Sequence, residues 1–371
     1  MRILADYRPA LRERTGVGEY LHGLIRAYAA AHPGEVTLFS SSWKDRLSPA
    51  VVSELGVRAV DRRIPVRALN LLWHRAGWPP VEMVAGDFDV VHAAHPLLIP
   101  ARRAAQVVTI HDLFFLWNPQ QTTAEIRRDY PALAGRHARR AHAVVTSTEH
   151  GKRLVGEHLG VPADRVYVCP PGVPRWQTLG RAPHVPRDGY VLFVGTLEPR
   201  KNVGALLDAY ELLLERRRAV PSLVLAGRVT REAAGWLARI ARPPLAGRVK
   251  HLGYVAAGDR ERVFAGARVL VMPSLDEGFG LPALEAMSAG IPVVASNRGS
   301  LPEVVGTGGL LVDPAEPAAL AGALEQLLAD DTLAASWGSA GLARARTFSW
   351  TAAASTLRRA YADAVLRRRA A

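Results

Sequence analysis

The chain has 371 residues, 49% of them hydrophobic and 22% charged, with a formal net charge of +13. That length implies two domains of ordinary size, and that balance excludes a disordered chain. A single cysteine, Cys169, excludes an intrachain disulfide and any multi-cysteine metal site, and no apolar run approaches the ~18 residues of a membrane span.

Residues 1–20 carry Asp6, Arg8, Arg12, Glu13 and Arg14, which leaves no apolar signal-peptide region. The chain therefore reads as cytoplasmic. Short β-rich apolar runs at 2–5, 36–40, 89–92, 107–111, 143–147 and 166–169 read as strands. Helical stretches such as 18–31 and 124–138 fall between them, the rhythm of a parallel sheet covered on both faces. Residues 169–189 (CPPGVPRWQTLGRAPHVPRDG) hold five prolines and no periodicity, which predicts a linker. The rhythm restarts with strands at 190–196, 223–227, 249–252, 269–273, 292–296 and 309–312. Helices fit at 203–218, 230–240, 259–265, 282–289 and 318–329, and a last helix at 351–369 ends on Arg367, Arg368 and Arg369. The prediction is two doubly wound α/β halves: domains at 1–173 and 190–349, a linker at 174–189, and a C-terminal helix over 350–371 packing back towards the first half. Open α/β sheets bind ligands at the carboxyl ends of their strands, so two facing halves predict a deep cleft with motifs just after strands.

Glu277-Gly-Phe-Gly-Leu-Pro-Ala-Leu-Glu285 follows the predicted strand 269–273 directly. Gly278 and Gly280 permit close backbone approach, and Pro282 suits the first helical turn. A helix starting near Leu281 presents free N–H groups to a phosphate, and Glu277 and Glu285 frame that point as acceptors for sugar hydroxyls. An N-terminal helix with favourably placed acids is the plainer alternative. Gly195-Thr-Leu-Glu-Pro-Arg200-Lys201-Asn202 stands at the next strand–helix junction, where adjacent cations suit a diphosphate leaving group. Only four of the 47 basic residues are lysine, so Lys201 is not background in an arginine-rich chain.

These two motifs resemble the E-x7-E element and the Arg/Lys clamp of glycosyltransferase family 4, the retaining GT-B group that includes bacterial mannosyltransferases. Further similar segments are Thr15-Gly-Val-Gly-Glu-Tyr20, Thr109-Ile-His-Asp-Leu113, Ala143-Val-Val-Thr-Ser-Thr-Glu149, Cys169-Pro-Pro-Gly-Val173 and the stretch 290–303. The resemblance implies a GT-B fold of two Rossmann-like domains, acceptor-binding first and nucleotide-sugar-binding second, and hexosyl transfer without metal or other cofactor. By position it implies that Arg200 and Lys201 hold the donor diphosphate, Glu277 the donor sugar and Glu285 the ribose. The backbone from Phe279 through Gly280 to Leu281 would touch phosphate and sugar, and Gly195 lines the same strand end. Gly16 and Gly18 would let the loop after the first strand close over the diphosphate, although an ordinary strand–helix turn has the same spacing. His111, ending a strand, would contact the transferring sugar, and Tyr254 and Val255 would lie near the base. The implied donor is GDP-mannose, with dTDP-rhamnose, UDP-glucose and UDP-GlcNAc as alternatives. The implied acceptor is a glycan or lipid-linked glycan at the inner face of the cell membrane.

The Asp87-Phe-Asp89 pair looks like a metal motif but leads into a strand at its amino end, so it is not assigned one. The charge of +13 also suits phosphates in general, but no nucleic-acid motif is present. Basic and aromatic residues at Arg62, Arg63, Arg67, Trp73, Arg75 and Trp78, then Arg136, Arg139 and Arg140, suggest peripheral contact with anionic membrane. A core-facing helix that stops at Pro79-Pro80 explains the first group as well. A dinucleotide dehydrogenase is excluded because Leu21 stands where the third glycine of its fingerprint belongs. A GT-B epimerase stays open, as does a non-catalytic anion-binding or nucleic-acid-binding module.

Overall fold

The computed structural model describes residues 1–11, 14, 16–217 and 219–370. Thr15 of the glycine motif, Arg218 at the predicted helix end and Ala371 lie outside the described residues. The chain forms two compact units, Met1–Gly172 with Ser349–Ala371, and Val173–Phe348.

The first unit is built on seven strands: β1 (Ile3–Asp6), β2 (Val36–Ser40), β3 (Arg58–Asp61), β4 (Val90–Ala93), β5 (Ala105–Thr109), β6 (Ala143–Thr146) and β7 (Val166–Val168). Their order is β3-β2-β1-β4-β5-β6-β7, and every pairing is parallel. β1 is buried along its whole length. Its side chains alternate between two cores: Ile3 and Ala5 join Val36, Leu38 and Val90 on one face, while Leu4 joins Phe39, Val91 and Ala93 on the other. The two-residue period of a strand buried on both faces produces this division.

The helix Trp350–Ala370 completes the first of these cores with Ala353, Ala354, Leu357, Ala360, Tyr361 and Ala364. The three- and four-residue spacing of those positions makes one helical stripe. Tyr361 seals it, its hydroxyl 2.7 Å from Nδ1 of His92 on β4. Near the helix C-terminus Arg367 donates to the carbonyls of His142 and Asp164.

The second unit has six parallel strands: β8 (Tyr190–Val194), β9 (Leu223–Ala226), β10 (Val249–Gly253), β11 (Ala267–Met272), β12 (Val293–Ser296) and β13 (Leu310–Val312). Their order is β10-β9-β8-β11-β12-β13. Cores lie on both faces here too, Val191 and Phe193 pointing to one and Leu192 and Val194 to the other.

Three features differ from the sequence reading. Residues 174–189 are not a free linker. They belong to the second unit, held by Trp176 against Phe264 at 5.0 Å and by Thr178 and Leu179 donating to the Glu261 carboxylate. β3 escaped notice because it is an edge strand of sequence RAVD, without a buried apolar pair to mark it. The helix Asp331–Ala345 escaped because small residues blur its apolar stripe; Asp330 caps it, accepting from Thr332 N and Leu333 N.

Candidate donor site

In a doubly wound sheet the ligand position is the point where strand order reverses. In the second unit that point lies between the neighbours β8 and β11. The two sequence motifs leave these two strands at their carboxyl ends. After β8 come Gly195, a short 3-10 turn Pro199–Lys201, and Asn202 in the left-handed conformation ahead of the helix Val203–Arg216. After β11 come Ser274 and Glu277, then the helix Leu281–Ser288. Leu275 N donates to Arg200 O at 2.8 Å, so the loops are stitched by backbone as well as side chains.

Glu277 is the centre of the arrangement. Lys201 Nζ donates to its Oε1 at 2.5 Å and Ser274 Oγ to the same oxygen at 2.8 Å. Arg200 Nη1 lies 3.6 Å from Oε2. Ser300 Oγ donates to the Glu277 carbonyl at 2.8 Å, which fixes the backbone too. The carboxylate is buried, and burial alone would raise its pKa. The charges of Lys201 and Arg200, with the hydrogen bonds from Lys201 and Ser274, outweigh that and hold it below the usual carboxylate range. Arg200 is oriented from its other side, its Nε donating to Glu198 Oε1 at 2.6 Å.

The helix Leu281–Ser288 begins at Gly280, whose φ of 97° is one an L side chain rarely adopts. A Cβ there would also meet Leu301 at 2.6 Å. Among the described residues no side chain caps this helix start, and Pro282 in the first turn has no N–H to satisfy. Its N-terminal dipole therefore adds to the two cations. Phe279 turns its ring into the core, edge-on to Phe348 at 5.7 Å, so only its backbone is available to a ligand. Glu285 lies one turn into the helix and is ion-paired to Arg260 of the helix Ala257–Ala265. Tyr254 and Val255 follow β10; the Arg228 guanidinium sits 5.2 Å over the Tyr254 ring.

The remaining predicted site residues are in the first unit. Gly16 and Gly18 are not in a loop: they occupy the first turn of the helix Gly16–Ala31. Gly18 is needed there for packing, because a Cβ would meet the Pro9 carbonyl at 3.0 Å. His111 does not end a strand. β5 stops at Thr109, its ladder closing with Ile110 N donating to Val145 O, and His111 stands in the turn beyond. Its ring meets Tyr20 edge-on at 5.3 Å, which brings the glycine-led helix and the His-Asp segment together. Burial lowers its pKa, and its Nε2 is a buried atom without a hydrogen-bond partner among the described residues. Asp87 and Asp89 are occupied at the amino end of β4: Arg2 N donates to Asp89 and Arg103 pairs with Asp87.

Sequence reasoning did not find Ser274, Ser300 or Arg260. Ser274 three residues before Glu277 was visible in principle; Arg260 and Ser300 reach the site only through the fold.

A parallel-sheet domain with paired cations, a buried carboxylate and an open helix start at its switch point has the makings of a nucleotide-sugar site. Residues 14–176 match the family described as Glycosyltransferase Family 4, and residues 188–330 match Glycosyl transferases group 1. The chain is 32% identical to O-antigen chain mannosyltransferase B of Escherichia coli, covering 94% of this chain and 96% of that protein. It is 35% identical to the D-inositol 3-phosphate glycosyltransferase of Streptomyces griseus subsp. griseus, over 93% and 71% of the two chains. Among solved structures, sucrose-phosphate synthase from Thermosynechococcus elongatus aligns at a TM-score of 0.75 with 21% identity, covering 97% and 98%. Anabaena HepE in complex with UDP and glucose aligns at 0.72 with 20% identity, covering 97% and 98%. The protein is thus a glycosyltransferase of GT-B fold. It belongs to glycosyltransferase family 4.

Proposed function

We propose that the protein is a retaining mannosyltransferase that moves mannose from GDP-mannose to a glycan or lipid-linked glycan in surface-glycan biosynthesis. The observation that carries the donor choice is the near full-length similarity to the Escherichia coli O-antigen chain mannosyltransferase. The site chemistry suits the reaction class. Arg200, Lys201 and the Leu281 helix start neutralise the departing diphosphate without a metal ion. Glu277 accepts from sugar hydroxyls and Glu285 from the ribose. The mannosyl C1–O bond to the β-phosphate breaks, and a C1–O bond to the acceptor hydroxyl forms on the same face. The acceptor proton passes to the departing phosphate oxygen. Glu277 serves as a sugar ligand and not as a nucleophile.

The acceptor is placed at the cytoplasmic face of an anionic membrane, where the protein works as a peripheral enzyme. Among the described residues no helix is long and apolar enough to cross a membrane. The segment following β3 supports surface contact instead: Leu69 and Trp73 face the core, while Leu71, Leu72, Trp78 and Met83 are exposed beside Arg67 and Arg75. The test is incubation of the protein with GDP-mannose and membranes carrying lipid-linked glycan, in EDTA, followed by determination of the new linkage. An α-mannosyl product supports the reading. Donor turnover without an acceptor, or a β-linked product, would overturn it.

A further inference from the structure

The pairing of Glu285 with Arg260 joins two helices that no sequence motif connects. The helix Ala257–Ala265 follows β10 by way of Tyr254 and Val255, and the helix Leu281–Ser288 follows β11. In the sheet these two strands are separated by β9 and β8. Both helices lie on one face, where Phe264 of the first and Leu284 and Met287 of the second share a core with Leu192. Arg260 Nη2 donates to Glu285 Oε2 from one helix to the other. The two side chains are 18% and 13% exposed, so the pair is shielded without being sealed from a ligand.

The helix that carries Arg260 is itself anchored at the next residue. Glu261 accepts from Thr178 N at 2.6 Å, from Thr178 Oγ1 at 2.7 Å and from Leu179 N at 3.2 Å. One turn further on, Phe264 packs against Trp176. Arg260 therefore reaches Glu285 from a fixed base. A glutamate has several rotatable side-chain bonds, and freezing them when a ligand arrives lowers affinity. An arginine bond already in place freezes them beforehand.

Charge points the same way. At this end of the sheet Glu198 pairs with Arg200, Glu277 with Lys201 and Glu285 with Arg260. A carboxylate deprived of its cation would repel a diphosphate bound nearby. A partly exposed ion pair adds little to stability, so the third pair is poorly explained as a brace. A carboxylate has roughly four lone-pair sites, so a bond from Arg260 to Oε2 is compatible with ribose hydroxyls donating to the same group.

We propose that Arg260 is a positioning residue for the donor. It holds the Glu285 carboxylate at the ribose hydroxyls, and so makes the site prefer a ribonucleotide to its deoxy analogues. The proposal rests on the reading of Glu285 as the ribose ligand. It assigns donor selectivity to a residue outside both motifs, which acts only through Glu285.

The test is calorimetric titration of the full chain with GDP, 2′-deoxy-GDP and 3′-deoxy-GDP. The unaltered protein should bind GDP about tenfold tighter than at least one deoxy analogue, the scale of one hydrogen bond to a charged group. Arg260→Gln should bring that preference to within about twofold and weaken GDP itself by about tenfold. The double variant with Glu285→Gln should bind no worse than Glu285→Gln alone, because the arginine acts through the carboxylate. A merely structural ion pair would lower Tm and leave the preference in place. An unchanged preference in Arg260→Gln, or additive losses in the double variant, would overturn the positioning role. Should Arg260→Gln fail to fold, Arg260→Lys decides, since it keeps the charge without the planar fork: a preference lowered to about threefold supports the role and an unchanged one overturns it. A preference lost in Glu285→Gln but kept in Arg260→Gln would overturn only the role of Arg260. A preference that survives Glu285→Gln would overturn the ribose reading itself, and no binding of GDP at all would overturn the donor reading with it.

Discussion

Lys201 and Glu277, 76 positions apart in the sequence, meet at 2.5 Å across the reversal point of the second sheet. Each belongs to a motif that leaves one of the two central strands, so the pairing follows directly from β8 lying beside β11. The same lysine that is expected to bind diphosphate is therefore oriented by the carboxylate expected to bind the sugar. The two residues expected to read the two halves of the donor thus form one coupled pair.

This coupling separates two variants. Glu277→Gln keeps the side-chain volume, so the fold should survive. Transfer should fall by about a hundredfold or more, the scale of losing a charged hydrogen bond made to the reacting sugar. GDP affinity should stay within a few-fold, because Lys201 remains. Calorimetric GDP binding beside initial transfer rates checks this; equal losses in both would remove Glu277 from sugar binding. Glu277→Ala should add a stability loss of roughly 3–5 kcal/mol, since it strands a buried lysine.

Lys201→Ala should weaken GDP itself by about ten- to a hundredfold, the range for one charge-assisted contact. Titration with GDP measures it directly. Unchanged affinity would exclude Lys201 from the diphosphate clamp.

Gly280→Ala tests the helix start. The positive φ there makes any side chain strained, at a cost of about 1–3 kcal/mol. Thermal unfolding should drop by several degrees, and GDP affinity should fall with it as the N–H groups of the first turn are re-aimed. A variant with the original Tm and full GDP affinity would contradict this role.

Acid should destabilise the first unit earlier than carboxylate titration alone explains. His74 and His92 are depressed by burial to about 3, and His137 to about 4. Each is neutral in the fold and takes up a proton more readily when unfolded, so the unfolded state binds more protons between the ordinary value of 6.5 and those lowered values. Their stabilising contribution is complete above about 6.5 and declines as pH falls below it. Glu277, lowered from 4.5, adds a further loss only below that value. Denaturant unfolding at pH 7, 6 and 5 should show falling stability, and His74→Phe should reduce the slope. A flat profile from pH 7 to 5 would contradict the buried, neutral histidines.

Much of this was readable in the chain itself. Buried parallel strands are short runs of Val, Leu and Ile between helices, and that contrast locates twelve of the thirteen strands among the described residues. It failed at β3, whose edge position lets polar residues fill a strand. Strand ends were less legible: His111 was placed inside β5 because Ile110 continues its apolar run, although the ladder stops at Thr109. Lys201 and Glu277 were visible because topology alone puts strand-end loops at a site. The Arg260–Glu285 pair was not, because its members come from separate elements with no fixed spacing. Trp176 turned an expected linker into packed structure for the same reason.

The most direct measurement of the central claim is calorimetric titration of the protein, in EDTA, with GDP-mannose, UDP-glucose, UDP-GlcNAc and dTDP-rhamnose, repeated with Lys201→Ala. The account predicts that GDP-mannose binds tightest, without metal, and that the variant loses most of that affinity. Binding that requires a divalent ion, a tighter fit for another donor, or an affinity indifferent to Lys201 would contradict it.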